Sequence, residues 1–352
     1  MAASAPDSDD FARIDARRIG GHRKNITQES AMLHRRHFLA AASAALVAPA
    51  IARAAEPLVL WGPPATPGLL LVRAAANAAL KPLGLPVEVR VWRTPDEMRA
   101  GISSGGMKAV VVPSYVAANL HNRGLGIRLA NILTHGLLYV VAPAGTVTSL
   151  ADLKGKRVAV PFKNDMPDFI FRRLLASQGI APAELTIDYS GSGPEAVQIL
   201  LAGRADAALL SEPAAAGALL LSGLRGKPLE RAIDTRKAWA QVTGAATLPQ
   251  AGLAVTDALT KQIGSEGIAL LQRAIEAALA EITTDPAATA AQAEALFQLP
   301  APVLAKAVPF SNLAAQPASA ARADITTLFE ALAADDPRIV GGKLPSDAFF
   351  AL

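Results

Sequence analysis

From Pro57 onward, short apolar runs rich in β-branched residues alternate with helix-like stretches, and that alternation leaves few folds open to the chain. Strand, helix and strand in succession wind around a mostly parallel sheet, because parallel neighbours need a crossover long enough to bring the chain back. Pro57–Gly62 reads as a strand, Leu69–Leu80 as a helix and Val87–Trp92 as a second strand. Thr94-Pro95-Asp96-Glu97 then opens a helix: Thr94 caps, Pro95 suits the first turn and Glu97 reaches back. Lys108–Pro113 is a third strand, Ser114 caps a helix over Tyr115–Asn122, and the β-rich run Ile127–Ala142 is interrupted at Thr134-His135-Gly136. A second series repeats the plan, with strands at Arg157–Phe162, Leu185–Ser190 and Asp206–Ser211 and helices near Pro167, over Ala196–Ala202 and after Pro213. One more strand falls at Gly252–Val255, beyond which the chain reads as helical. The fold class is therefore α/β, with two lobes joined by two strand-like crossings near Leu138–Pro143 and Gly252–Thr256. Residues 55–140 with 253–352 are expected to form lobe I, and residues 141–252 an inserted lobe II.

Of the chain's 34 Lys/Arg and 30 Asp/Glu, residues 1–54 hold eight and five, which leaves 26 and 25 for the remainder. The apparent basicity belongs to the first segment, and the body is nearly neutral. That segment contains His34-Arg35-Arg36-His37-Phe38-Leu39, an apolar stretch to Ala52, and small residues around Ala54. A charged start, a short apolar run and an A-x-A site describe a signal peptide, and the arginine pair before Phe-Leu resembles a twin-arginine export signal. The run is shorter than the ~20 residues that span a bilayer. Export to the periplasm with cleavage near Ala54 is expected, with translation starting at Met32 and no stable membrane insertion of the mature chain. Hydrophobic residues make up 51% of the chain and charged ones 18%, which excludes disorder for most of it. Cysteine is absent, so thiol nucleophiles, Cys-based metal sites and lipid attachment through cysteine are excluded. A neutral body with 5% aromatic residues has no electrostatic footprint or stacking surface for nucleic acid.

Two motifs resemble catalytic signatures. Gly101-Ile102-Ser103-Ser104-Gly105 matches G-x-S-x-G, but it follows a helix and precedes a strand, the reverse of a nucleophile elbow. Gly191-Ser192-Gly193-Pro194-Glu195-Ala196 matches a dinucleotide fingerprint, yet Pro194 removes an N–H that pyrophosphate would need. It reads instead as a helix N-terminus suited to a ligand oxygen. After residue 54 the histidines are His121 and His135 alone, so neither a catalytic triad nor a metal site is expected, and no cofactor.

The run Ser149-Leu150-Ala151-Asp152-Leu153-Lys154-Gly155-Lys156-Arg157-Val158-Ala159-Val160, then Gly193-Pro194-Glu195-Ala196, Leu201-Ala202-Gly203-Arg204-Ala205-Asp206-Ala207-Ala208 and Ser211-Glu212-Pro213, resemble the periplasmic solute-binding proteins of ABC transporters. More narrowly they resemble the sulfonate, taurine, nitrate and thiamine-precursor binders, the NMT1/THI5-like family. The resemblance implies a type II binding-protein fold whose two α/β lobes close on a small-molecule solute and deliver it to a permease with a cytoplasmic ATPase, the protein acting as a monomer. Enzymes on the same fold, of menaquinone- or pyrimidine-pathway type, are the alternative; the pyrimidine synthase depends on a cysteine-rich motif absent here. In such a fold the cleft is built from strand C-terminal ends and the helix N-termini after them. That rule nominates Trp61, Pro64 and Thr66; Ser114 and Tyr115; Asn164, Asp165 and Met166; Ser192 and Gly193 within Ser190–Gly193; and Glu212. Trp61 and Tyr115 offer rings either to stack on a planar solute or to pack between lobes, and Glu212 either accepts from a ligand N–H or starts a helix. Lys163 is the sole basic residue in these loops, which favours a small organic solute, aromatic or heterocyclic, over a bare inorganic anion.

Overall fold

A computed structural model describes residues 56–352. The export signal, the start at Met32 and the cleavage near Ala54 lie outside the described residues. In chain order the elements are β1 (Leu58–Gly62), α1 (Thr66–Ala75), β2 (Val87–Val91), α2 (Pro95–Ser103), β3 (Ala109–Pro113), α3 (Ser114–Asn122), β4 (Ile127–Leu129), β5 (Asn131–Thr134) and β6 (Leu138–Pro143). There follow β7 (Arg157–Pro161), α4 (Met166–Ser177), β8 (Thr186–Ser190), α5 (Gly193–Leu201), β9 (Ala207–Ser211), α6 (Ala214–Leu224), β10 (Leu229–Asp234) and α7 (Thr235–Thr243). The last are β11 (Ala251–Thr256), α8 (Asp257–Thr284), α9 (Pro286–Phe297), α10 (Ala301–Ala307), β12 (Leu313–Pro317) and α11 (Arg322–Asp335).

The strands form two sheets of one plan, as the α/β reading and the type II resemblance require. The first runs β12–β5–β11–β3–β1–β2, with β4 also paired to β11, and the second runs β10–β6–β9–β7–β8. Each has a parallel middle: β1 with β2 and β3, β7 with β8 and β9. Each then turns antiparallel at the strand that enters from the other sheet, β11 against β3 and β6 against β9. The sequence reading of mostly parallel sheets misses this. A strand arriving without a crossover helix at that sheet is free to lie antiparallel, and both do.

The β6 strand lies wholly in the second sheet and β11 wholly in the first. The chain therefore passes between sheets at residues 135–137 and 244–250, a few residues ahead of the crossings drawn from the sequence. Just past the second passage, β11 runs so close to β5 that a Cβ at Gly252 would sit 1.9 Å from the backbone oxygen of Asn131.

Local chemistry accounts for the element ends. Thr94 Oγ1 accepts the Glu97 N–H at 3.1 Å as expected, while Glu97 reaches back one residue further, to the Arg93 N–H at 2.7 Å. The helix expected over Leu69–Leu80 begins at Thr66 and ends at Ala75, since Asn77 Oδ1 accepts the Ala79 N–H and opens a 3-10 turn over Ala78–Leu83 that contains Pro82. Buried leucines of α1 (Leu69, Leu70, Leu71) cluster with Leu271 and Ile275 of α8 and Phe297 of α9, covering one face of the first sheet. Neither β10, whose LERAID is half-buried throughout, nor β12 has the apolar pattern of a strand, and the sequence reading passes over both.

Candidate functional site

A cleft of about 700 Å3 lies between the two sheets. Its walls come from the C-terminal ends of β1, β2, β3, β7, β8 and β9, from the two passages, and from the segment joining α9 to α10. Of the residues nominated from the sequence, Pro64, Asp165, Met166, Ser192 and Gly193 line it. Tyr115 and Asn164 instead line a neighbouring groove of about 540 Å3 together with Arg99, Asn119 and Arg123.

The remaining four do not line the cleft. Trp61 lies within β1, on the strand rather than past its end, and takes the Arg90 guanidinium 5.8 Å from its ring centroid. Thr66 is fully buried, with no partner for Oγ1 among the described residues. Ser114 does not cap α3: its hydroxyl donates to the Pro249 carbonyl at 2.7 Å and its N–H to the Gln250 carbonyl at 3.1 Å, binding the helix start to the second passage. Glu212 is fully buried, and its oxygens are already engaged. Oε1 accepts from Arg231 at 2.6 Å and Oε2 accepts the Ala216 N–H at 3.2 Å, so it serves the start of α6 rather than a ligand. Burial raises its pKa, opposed by Arg231 and the Ala216 N–H.

The cleft's chemistry is mostly apolar. Nine prolines line it (Pro63, Pro64, Pro67, Pro95, Pro113, Pro167, Pro194, Pro213, Pro300), with Trp92, Phe162 and Phe297 as its aromatic rings. Four of these prolines sit in the first turns of α1, α2, α4 and α5, and each withdraws an N–H that a helix start would otherwise offer an anion. Asp165 and Ser192 take up further first-turn donors, accepting from Met166 at 2.7 Å and Glu195 at 3.2 Å. Among the described residues the one basic side chain on the lining is Arg93, exposed, with its guanidinium on the carbonyls of Phe297 and Leu296 at 3.3 and 3.2 Å. Lys163, the basic residue singled out in the sequence, lies 5.1 Å over the ring of Tyr189 and does not line the cleft. Phe162 stands at φ 59°, a left-handed conformation costly for a bulky side chain and of the kind that gathers at ligand sites. Its N–H donates to Ser190 and its carbonyl accepts from Asp165, which hold the turn in place.

Two clasps join the sides of the cleft. In the first, Arg99 of α2 donates to Tyr115 Oη and to Asp165 Oδ2, both at 2.8 Å, and the Tyr115 hydroxyl donates to Asp165 Oδ1 at 2.7 Å. Burial, reinforced by Asp165, pushes the Tyr115 phenol well above its ordinary value. For Arg99, burial acts to lower the pKa but Asp165 and Tyr115 outweigh it, and the net direction is upward. In the second clasp, the Arg231 guanidinium lies 3.7 Å over the Phe310 ring while the Tyr139 hydroxyl donates to the Phe310 carbonyl at 2.7 Å. Ala216 and Leu220 of α6 pack on Val303 and Ala307 of α10 to continue the seam.

A cleft at strand ends between two sheets is a binding geometry, and comparison with known proteins gives it a family. Residues 76–299 match the family described as ABC transporter, phosphonate, periplasmic substrate-binding protein. The chain belongs to this family. Its role is that of the family, the substrate-binding protein of an ABC transporter. No curated protein matches it in sequence. Among solved structures this binding protein is similar to an ABC transporter protein from Parabacteroides distasonis, at 22% identity and TM-score 0.70 over 84% of this chain and 98% of that one. It is similar also to the periplasmic aliphatic sulphonate binding protein SsuA of Escherichia coli (16%, TM-score 0.63, 82% and 95% covered). The alkanesulfonate-binding SsuA of Xanthomonas axonopodis pv. citri, bound to MOPS, matches at 18% and TM-score 0.60 over 82% and 97%. At these identities the likeness is one of fold. Among the described residues no helix is long and apolar enough to cross a membrane, and no three His, Asp or Glu side chains are grouped to hold a metal ion.

The site has contributors that the sequence reading missed. Trp92 directly follows β2, Phe162 directly follows β7, Gln250 ends the second passage, and Phe297–Pro300 arrive from far along the chain. For Trp92 and Phe162 the strand-end rule was signal enough, whereas nothing local marks Gln250 or residues 297–300.

Proposed function

We propose that this binding protein captures a small, neutral, largely apolar organic solute, aromatic or heterocyclic, in the cleft between its sheets and hands it to a permease driven by a cytoplasmic ATPase. The observation that carries the reading is the lining: prolines and three aromatic rings, with its single arginine at the rim already bonded to carbonyls. A phosphonate or sulfonate head would need charge-assisted donors, and the prolines in the first turns of α1, α2, α4 and α5 reduce the backbone supply. The contacts proposed are Pro64, Asp165, Met166, Ser192 and Gly193, joined by Trp92, Phe162 and Phe297. The proposed moving bodies are lobe I, residues 55–140 with 253–352, and lobe II, residues 141–252, hinged at the two passages. The runs at 149–160 and 193–196 support a narrower place in the NMT1/THI5-like group, and the arginine pair with Ala52-Arg53-Ala54 supports periplasmic export with cleavage near Ala54.

Melting shifts across a solute panel test the reading. A ligand at 100 times its Kd adds about 2.7 kcal/mol to stability, a shift easily read. Stabilisation by neutral aromatic or heterocyclic solutes is expected, and stabilisation by nitrate, alkylphosphonates or alkanesulfonates alone overturns it.

A further inference from the structure

Gln250 is the last residue of the second passage, one position before β11. It is 6% exposed and lines the cleft. Its N–H donates to the Thr134 carbonyl at 3.2 Å and its carbonyl accepts the Ser114 N–H at 3.1 Å. Its side-chain Oε1 accepts the Leu137 N–H, also at 3.2 Å. That last bond settles which way the amide points, because a backbone N–H needs the oxygen and not the nitrogen opposite it. Nε2, with two donor hydrogens, is left without an acceptor among the described residues. Its neighbours on the wall, Pro113, Leu137 and Ala251, carry no polar side chain. Nε2 is not a sealed atom but opens onto the cleft, so a solute that closes over it must accept from it or leave a donor stripped of solvent without a partner.

We infer that Gln250 is the residue that reads the solute: Nε2 donates to a hydrogen-bond acceptor, a carbonyl oxygen or a ring nitrogen, on an otherwise apolar molecule. The inference rests on the neutral-solute reading above and adds the one polar feature that the solute must carry. Leu137 lies on the first passage and Gln250 on the second, so a solute held by Nε2 is held where the chain moves from one sheet to the other. A cleft with a fixed donor rejects a shape-matched molecule lacking the acceptor, since the donor is then desolvated for nothing.

Acetophenone and α-methylstyrene make a matched pair of probes, differing by a carbonyl oxygen in place of a methylene carbon. Calorimetric titration is expected to show acetophenone bound at least about tenfold more tightly, or about 1.4 kcal/mol, and Gln250→Met is expected to erase the difference. Equal binding of the two by the unsubstituted protein, or discrimination that survives in Gln250→Met, overturns the role of Gln250 while leaving a neutral aromatic solute in place. Binding of neither probe overturns the neutral aromatic reading and the inference with it. Should Gln250→Met fail to fold, the 15N side-chain amide signals of the unsubstituted protein serve instead, with the Gln250 pair recognised by its absence in Gln250→Glu, which keeps an oxygen for Leu137. Those signals are expected to move with acetophenone and not with α-methylstyrene, and a stationary pair overturns the inference.

Discussion

Asp165 holds three donors at once, which makes its replacement a quantitative test of the first clasp. It caps α4 by accepting the Met166 N–H, accepts the Tyr115 hydroxyl on the same oxygen, and accepts Arg99 on the other. Asp165→Ala removes all three. Loss of the cap costs about 1 kcal/mol. The Tyr115 hydroxyl, 4% exposed as a residue, keeps its bond from Arg99 but loses its acceptor, at about 1–2 kcal/mol. The Arg99 side chain is 34% exposed, so solvent screens its ion pair and only about 0.5–1 kcal/mol is assigned to it. The expected loss is roughly 3 kcal/mol, additivity being approximate within one cluster. Asp165→Asn retains one oxygen for Met166 and Tyr115 but gives up the charge and the second oxygen, which accepts from Arg99, so about 1 kcal/mol is expected. Urea unfolding monitored by tryptophan fluorescence reads both, with the slope unchanged if only stability has moved. If Asn and Ala cost the same, the cap and the Tyr115 bond contribute nothing and the clasp is a charge pair alone; if both cost under about 0.5 kcal/mol, the clasp has no energetic meaning.

Arg231→Met is expected to destabilise by about 3 kcal/mol or more at pH 7.5, because Glu212 is left buried with its ion partner gone. The Glu212 pKa is already raised in the native protein, so its contribution is complete below its unfolded value and fades as pH rises through the folded one; urea midpoints of the variant should accordingly recover toward pH 5. All three tyrosines of the chain are shifted upward by burial, Tyr139 and Tyr189 to about 12 and Tyr115 well above 10. Phenolate absorbance at pH 10.5 should therefore be small in the native protein and large in urea, and stability should fall between about pH 10 and 12 as the unfolded chain ionises first. Gly252→Ala drives a methyl into the Asn131 carbonyl and is expected to cost more than about 3 kcal/mol or prevent folding, read as a lost urea transition or as insoluble expression.

Much of the architecture was legible because strand, turn and helix each leave a local signature. Thr94 before Pro95 marked α2 correctly, and KAVVVP could hardly be anything but a strand buried on both faces. Strand direction was less legible, since β6 and β11 look like any other apolar strand until it is known that each enters from the other sheet. The site was legible as loops and not as faces. Strand alternation turns Trp61 out of the cleft, and the hydroxyl of Ser114 finds a carbonyl 135 residues away in preference to its own helix. The Glu212 carboxylate is claimed by Arg231, whose strand carries no apolar pattern to announce it. Gln250, in the plain run Thr247-Leu248-Pro249-Gln250, becomes notable only when its three bonded groups are counted against the fourth.

The antiparallel seat of β11 also bears on how the chain is assembled. In the first sheet Val111 of β3 pairs with Leu253, 142 residues further on, and every residue of the second sheet lies between them. As the chain emerges from a ribosome or a translocation channel, β1, β2 and β3 therefore wait with one edge unpaired while the whole second sheet is made. Contacts so distant in sequence slow folding and leave an apolar edge open to wrong partners. The second sheet, whose strands all fall within residues 138–234, has no such wait. The order of assembly that follows is the reverse of the order of synthesis: the inserted half forms first, and its completion delivers β11 to the half that began the chain.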